Sequence, residues 1–91
     1  MAKRKETVTR VIDGDTFRTV SRKHSVRLAN VDAPEKGAKG GASATRQLKS
    51  LIQGQKVEVK TVARDTYGRA VADVKVGNKS VNKAMSRHIR K

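Results

Sequence analysis

From Thr7 to Ile12 apolar and polar positions interchange, which predicts a strand with Val8 and Ile12 as candidates for one buried face. Asp13-Gly14 is a two-residue turn signal, and a second strand follows over Thr16–Val20. Ser21-Arg22-Lys23-His24 is a polar turn. Ser25–Val31 reads as a third strand, with Val26, Leu28 and Asn30 on one side. Three short runs joined by tight connections predict an antiparallel meander.

The period then changes. Pro34 and the stretch GAKGG at 37–41 end the meander, and Ala44, Leu48, Leu51 and Ile52 fall at helical spacing on one stripe. Ser43 is the expected N-cap of this helix and Gly54 its stop. A fourth strand over 55–63 carries Val57 and Val59 in alternation. Residues 64–69 form a loop, and Ala70–Val76 is a fifth strand. Gly77-Asn78 turns the chain toward a last helix, capped by Ser80, with Val81, Ala84, Met85, His88 and Ile89 on one stripe. The order βββ-α-ββ-α, with a helix between the third and fourth of five strands, is that of an OB-fold barrel with helices, an α+β arrangement frequent among nucleic-acid and oligosaccharide binders.

Ninety-one residues suit one small domain, read here as residues 7–91 behind a basic arm at 1–6. One Phe, one Tyr and no Trp leave Val, Ile, Leu and Ala to build the core. With no cysteine, disulfides, zinc-thiolate sites and thiol nucleophiles are excluded. No apolar run approaches the roughly 20 residues that span a bilayer, and the basic residues do not form one helical face with bulky apolar residues opposite, so neither a membrane span nor a membrane-surface partner is expected. No apolar segment follows MAKRKETV, which predicts a cytoplasmic chain as given, or a secreted one if a leader has been removed. A monomer is expected. Twenty-two Lys and Arg against eight Asp and Glu give a formal net charge of +14. That excess predicts a polyanionic partner, nucleic acid first.

Four of the eight acids lie between positions 13 and 35: Asp13, Asp15, Asp32 and Glu35. In an antiparallel meander the third strand ends beside the turn joining the first two, so VIDGDTF and the segment Asp32–Glu35 should meet. Clustered carboxylates repel unless a cation sits among them. Oxygen donors without His or Cys suit Ca²⁺ or Mg²⁺. Arg27, on the third strand, and Arg69, before the fifth, are the guanidinium groups such a site needs to clamp a phosphodiester and stabilise its transition state. Glu35 is the carboxylate suited to orient or deprotonate an attacking water.

VIDGDTF, VRLANVDAPE and DTYGRAVADV, in that order and with a helix between the last two, resemble the staphylococcal nuclease family over nearly the whole chain. The resemblance implies a five-stranded OB barrel and a calcium-dependent phosphodiesterase that cuts DNA and RNA, single-stranded or denatured by preference, to 3′-phosphate and 5′-hydroxyl ends. It further implies that Asp15 and Asp32 bind calcium together with the backbone carbonyl of Ala33. It gives Glu35 the water-orienting role and makes Arg27 and Arg69 the phosphate-binding catalytic arginines. Asp13 matches an acidic position next to the ligands, and Tyr67 borders the nucleotide pocket. The chain departs from the type enzyme in having Ala at 33 in place of Thr, a shorter loop over 36–41, and an end at Lys91 where the type enzyme continues with further pocket tyrosines.

Two other function classes fit parts of the pattern. A non-catalytic OB-fold module that binds nucleic acid is the alternative, but degenerate copies of this domain lose one or more of Asp15, Arg27, Asp32, Glu35 and Arg69, and all five are present. A small basic structural protein fits the charge and leaves the clustered acids unexplained.

Overall fold

Eight elements make up the computed structural model, which describes residues 4–34 and 37–90. They are β1 (Arg4–Asp13), β2 (Thr16–Thr19), β3 (Val26–Leu28), α1 (Gly41–Ile52), β4 (Lys56–Arg64), β5 (Ala70–Val76), β6 (Lys79–Ser80) and α2 (Val81–Arg90). The strands are ordered β3-β2-β1-β4-β5-β6, and β3 also pairs with β5. That last pairing closes five strands into a ring, the OB-like barrel, with β6 appended to β5 as a short hairpin. All neighbours are antiparallel except β3 and β5, which run parallel with Val26 beside Ala70 and Leu28 beside Ala72.

β1 starts earlier than the pattern predicted. Of the expected basic arm, residues 1–3 lie outside the described residues, and Arg4–Glu6 already belong to the strand. Glu6 is buried because Arg22 Nε stands 2.7 and 2.9 Å from its two carboxylate oxygens and the Thr19 hydroxyl donates to it at 2.8 Å. A register shift between Val8 and Arg10 then changes which face each residue takes. Val8 and Val11 are the buried pair, and Ile12 is only half-buried. One extra residue in a strand reverses the alternation beyond it.

β3 is shorter than expected. Val26 and Leu28 are buried as the alternation predicts, but the chain turns at Ala29–Asn30, where Asn30 adopts φ 60° and is exposed. Asn tolerates this left-handed conformation better than most residues. At α1 the predicted cap is also displaced. The helix starts at Gly41, with Gly40 at φ 84° as N-cap and no side-chain cap bond. Ser43 instead lies inside the first turn, where its hydroxyl meets His88 Nε2 at 3.1 Å and ties α1 to α2. Ser80 does cap α2, accepting from the Lys83 N–H at 3.3 Å.

The core fills the barrel and the space beneath both helices. Phe17, Leu28, Leu48, Ile52 and Met85 are its largest fully buried side chains, surrounded by buried Val residues of β1, β3, β4 and β5 and by Val81 at the start of α2. Asn82 links helix to sheet: it donates to the Ala29 and Ala72 carbonyls at 2.9 and 3.0 Å and accepts from the Val74 N–H at 2.8 Å. This holds the end of β3 against β5 just before the segment that carries Asp32.

Candidate active site

The turn between β1 and β2 owes its position to Gly14. A Cβ there would lie 2.5 Å from Ala44 Cβ and 2.8 Å from Ala33 Cβ. Only glycine lets the Asp-Gly-Asp turn press against α1 and against the segment after β3 at once. The Asp13 carboxylate accepts from the Asp15 N–H at 3.2 Å, and the Asp15 carbonyl accepts from the Leu28 N–H at 2.8 Å. Asp15 is thereby fixed on both sides.

Asp15 is buried, and its carboxylate gathers donors. Ala33 N–H donates to Oδ2 at 3.0 Å and the Thr16 hydroxyl to Oδ1 at 2.9 Å. Arg27 Nη2 lies 3.4 Å from Asp15 Oδ2 and 3.4 Å from Asp32 Oδ1. The two acidic segments therefore meet across one guanidinium, as the meander geometry required. Asp32 itself faces solvent. Burial pushes the Asp15 carboxyl up. Its hydrogen bonds to Asp13, Ala33 and Thr16 and the charge of Arg27 outweigh that, so it titrates below the ordinary carboxylate range. Asp13 moves the other way, raised first by burial and then by its shared hydrogen bond and repulsion with Asp15.

Arg69 is held from its own loop. Asp65 accepts from Arg69 Nε, from the Arg69 N–H at 2.9 Å and from the Tyr67 N–H at 3.0 Å. The Arg69 guanidinium lies 5.3 Å from the centre of the exposed Tyr67 ring. Since Val26 pairs with Ala70 and Arg27 with Val71, Arg69 follows Arg27 along the outer face of the β3–β5 seam. Asp65 is the positioning residue that sequence reasoning passed over. Its signal was the spacing Asp-Thr-Tyr-Gly-Arg, in which an Asx turn completed by Gly68 at φ 81° returns the arginine to the aspartate. Glu35 lies outside the described residues.

The described donors suit a hard cation in kind, since all are oxygens and a buried carboxylate stands among them. In number they fall short by themselves. Among the described residues no three His, Cys, Asp or Glu side chains converge on one point. Asp15 and Asp32 would need backbone, water or Glu35 oxygens to complete a shell.

Comparison with known proteins extends these observations. Residues 25–88 match the family model described as staphylococcal nuclease homologue. An uncharacterized endonuclease of Escherichia coli is 44% identical over 69 residues, covering 74% of this chain and 45% of that protein. A micrococcal nuclease of Shigella flexneri is 39% identical over 69 residues, covering 74% of this chain and 40% of its own length. Endonuclease YncB of Bacillus subtilis is 34% identical over 90 residues, with 87% and 43% covered. The chain thus spans less than half the length of these curated relatives.

Proposed function

The chain belongs to the staphylococcal nuclease family, and from that premise we propose that it hydrolyses phosphodiester bonds of single-stranded or denatured DNA and RNA with a bound calcium ion, leaving 3′-phosphate and 5′-hydroxyl ends. The observation that carries this reading is the meeting of Asp15, Asp32 and the Ala33 amide around Arg27.

Asp15 and Asp32, with the Ala33 carbonyl, would hold the ion. Bound there, it supplies Lewis-acid polarisation of a phosphoryl oxygen and lowers the pKa of a coordinated water. Asp15 suits this role because hydrogen bonds from Ala33 and Thr16 and the charge of Arg27 favour its ionised form, whereas Asp13 fixes the turn. Both contacts of Arg27 to the carboxylates run through Nη2, so its Nε and Nη1 hydrogens remain as donors for phosphate oxygens. Arg69, braced through Nε by Asp65, presents its terminal nitrogens to the same phosphate and stabilises charge gathering on the equatorial oxygens. Tyr67 offers a flat exposed face for a base. Glu35, assigned from its motif, takes the proton of the attacking water. A single strand is preferred because the scissile phosphate must reach the partly recessed Asp15 and Arg27.

The test is cleavage of denatured DNA and of RNA in calcium and in excess chelator, with Glu35→Gln and Arg69→Ala alongside. Calcium-dependent cleavage with 3′-phosphate ends, lost by a factor of about 10² or more in both variants, is the expected result. Tight binding without calcium and no cleavage would overturn it in favour of a binding module.

A further inference from the structure

Charge is compensated unevenly around the barrel. On the β4 side the register sets Lys5 opposite Glu58, Glu58 opposite Lys75 and Lys60 opposite Asp73, pairs of opposite sign. Between β1 and β2 it does the reverse, placing Arg10 opposite Arg18, a like-charge pair that repels. Arg18 Nη2 donates to the Lys23 carbonyl at 2.9 Å, so its guanidinium leans over the β2–β3 turn. There Arg22, Lys23, His24, Arg64 and Ala70 line a solvent-open cavity of about 190 Å³ with no carboxylate in its wall. At roughly 30 Å³ per water it has room for a hydrated phosphate group. Of its basic residues only Arg22 enters an ion pair described in the structure, with Glu6.

This cavity adjoins the Tyr67–Arg69 loop. Arg64 Nη1 donates to the Gly68 carbonyl at 3.2 Å, and the His24 ring lies 3.7 Å from where a Gly68 Cβ would be. Because Val26 pairs with Ala70, the β2–β3 turn and the start of β5 are side by side. From Asp32 the strand register leads past Arg27 and Arg69 to the β2–β3 turn that carries Lys23 and His24 and over which Arg18 leans.

We propose that the Lys23–His24–Arg64 cavity is a second phosphate subsite, which takes the backbone of the same nucleic-acid strand beyond the scissile phosphate on the side away from Asp32. The proposal rests on the nuclease reading above for the position of the scissile phosphate. Arg10 and Arg18 extend the track, and their mutual repulsion is relieved when a strand lies across them.

Anisotropy of a fluorescent thymidine dinucleotide and a thymidine decamer, in excess chelator and over a salt series, tests the subsite on the full chain, on Lys23→Glu and on Lys79→Glu. Lys79 lies beside Val76 at the far end of β5 and controls for net charge. Lys23→Glu should weaken decamer binding about tenfold more than Lys79→Glu and lower its salt slope by about one to two, with dinucleotide affinity equal in all three. Equal losses in the two variants would overturn the subsite. Selective loss in Lys23→Glu from a chain that does not cleave in calcium would overturn the nuclease reading and support the strand-binding cavity. No decamer binding by the unaltered chain would overturn both.

Discussion

Two aspartates two residues apart titrate in opposite directions, and stability should record it. A depressed carboxyl such as Asp15 contributes stability that is present above its unfolded value, near 3.8, and lost as pH falls through its folded value. A raised carboxyl such as Asp13 contributes stability that is present below 3.8 and lost as pH rises through its folded value. Near neutrality Asp13 is therefore charged against its surroundings. Asp13→Asn, which keeps the oxygen that accepts from Asp15 N–H, should raise the urea midpoint of the metal-free chain near pH 7 and leave it unchanged well below pH 3.8. A drop near neutrality would show that the charge matters less than the turn. Calcium should stabilise the unaltered chain, by about 2.7 kcal/mol at a hundred times its dissociation constant, and thermal melts should show this effect abolished in Asp15→Asn. At this scale much was legible in the sequence. Asp15, Arg27 and Asp32 converge because strand order alone brings their segments together. Asp65 was missed because its partners are four residues or fewer away, in a loop whose turn geometry the alternation of apolar residues does not encode. Glu35 is assigned its role from the motif alone and lies outside the described residues.

Among the elements, the turn before β2 and the two helices decide where the site sits. Gly14→Ala would force its methyl into Ala33 and Ala44, so α1 or the segment after β3 must give way. A loss of about 1–3 kcal/mol in urea unfolding is expected, with the proposed nuclease activity falling further than the unfolded fraction explains. Asn82→Ala leaves the Val74 N–H and the Ala29 carbonyl without their partner. It should cost roughly 1–3 kcal/mol by the same measurement. The element order was readable because the change from period two to helical period is sharp at Pro34. Exact edges were not. The register shift in β1 exchanges Ile12 for Val11, and Asn30 ends β3 early, since both are backbone choices made by packing. Ser43 looked like a cap by residue type, yet Gly40 fills that role with a conformation that other residues adopt at a cost.

For the whole molecule, a formal net charge of +14 means that the proposed association with nucleic acid should be led by phosphate contacts. Its affinity should fall steeply and linearly in logarithmic plots against salt, and a flat titration would contradict this. What local pattern could not supply was the parallel pairing of β3 with β5, a contact between segments separated by a helix and another strand. That pairing is also where the proposed chemistry divides: Arg27 stands on one side of the seam and Arg69 on the other. Loops that must be closed over long stretches of chain form late and open early. The two arginines should then part at the first sub-global opening of the native state, while Asp15 and Asp32 stay joined through β2 and β3. Catalytic competence in such a chain would be set by the lifetime of one seam, and amide exchange at Ala29, whose N–H donates to Ala72 across it, would read that lifetime directly.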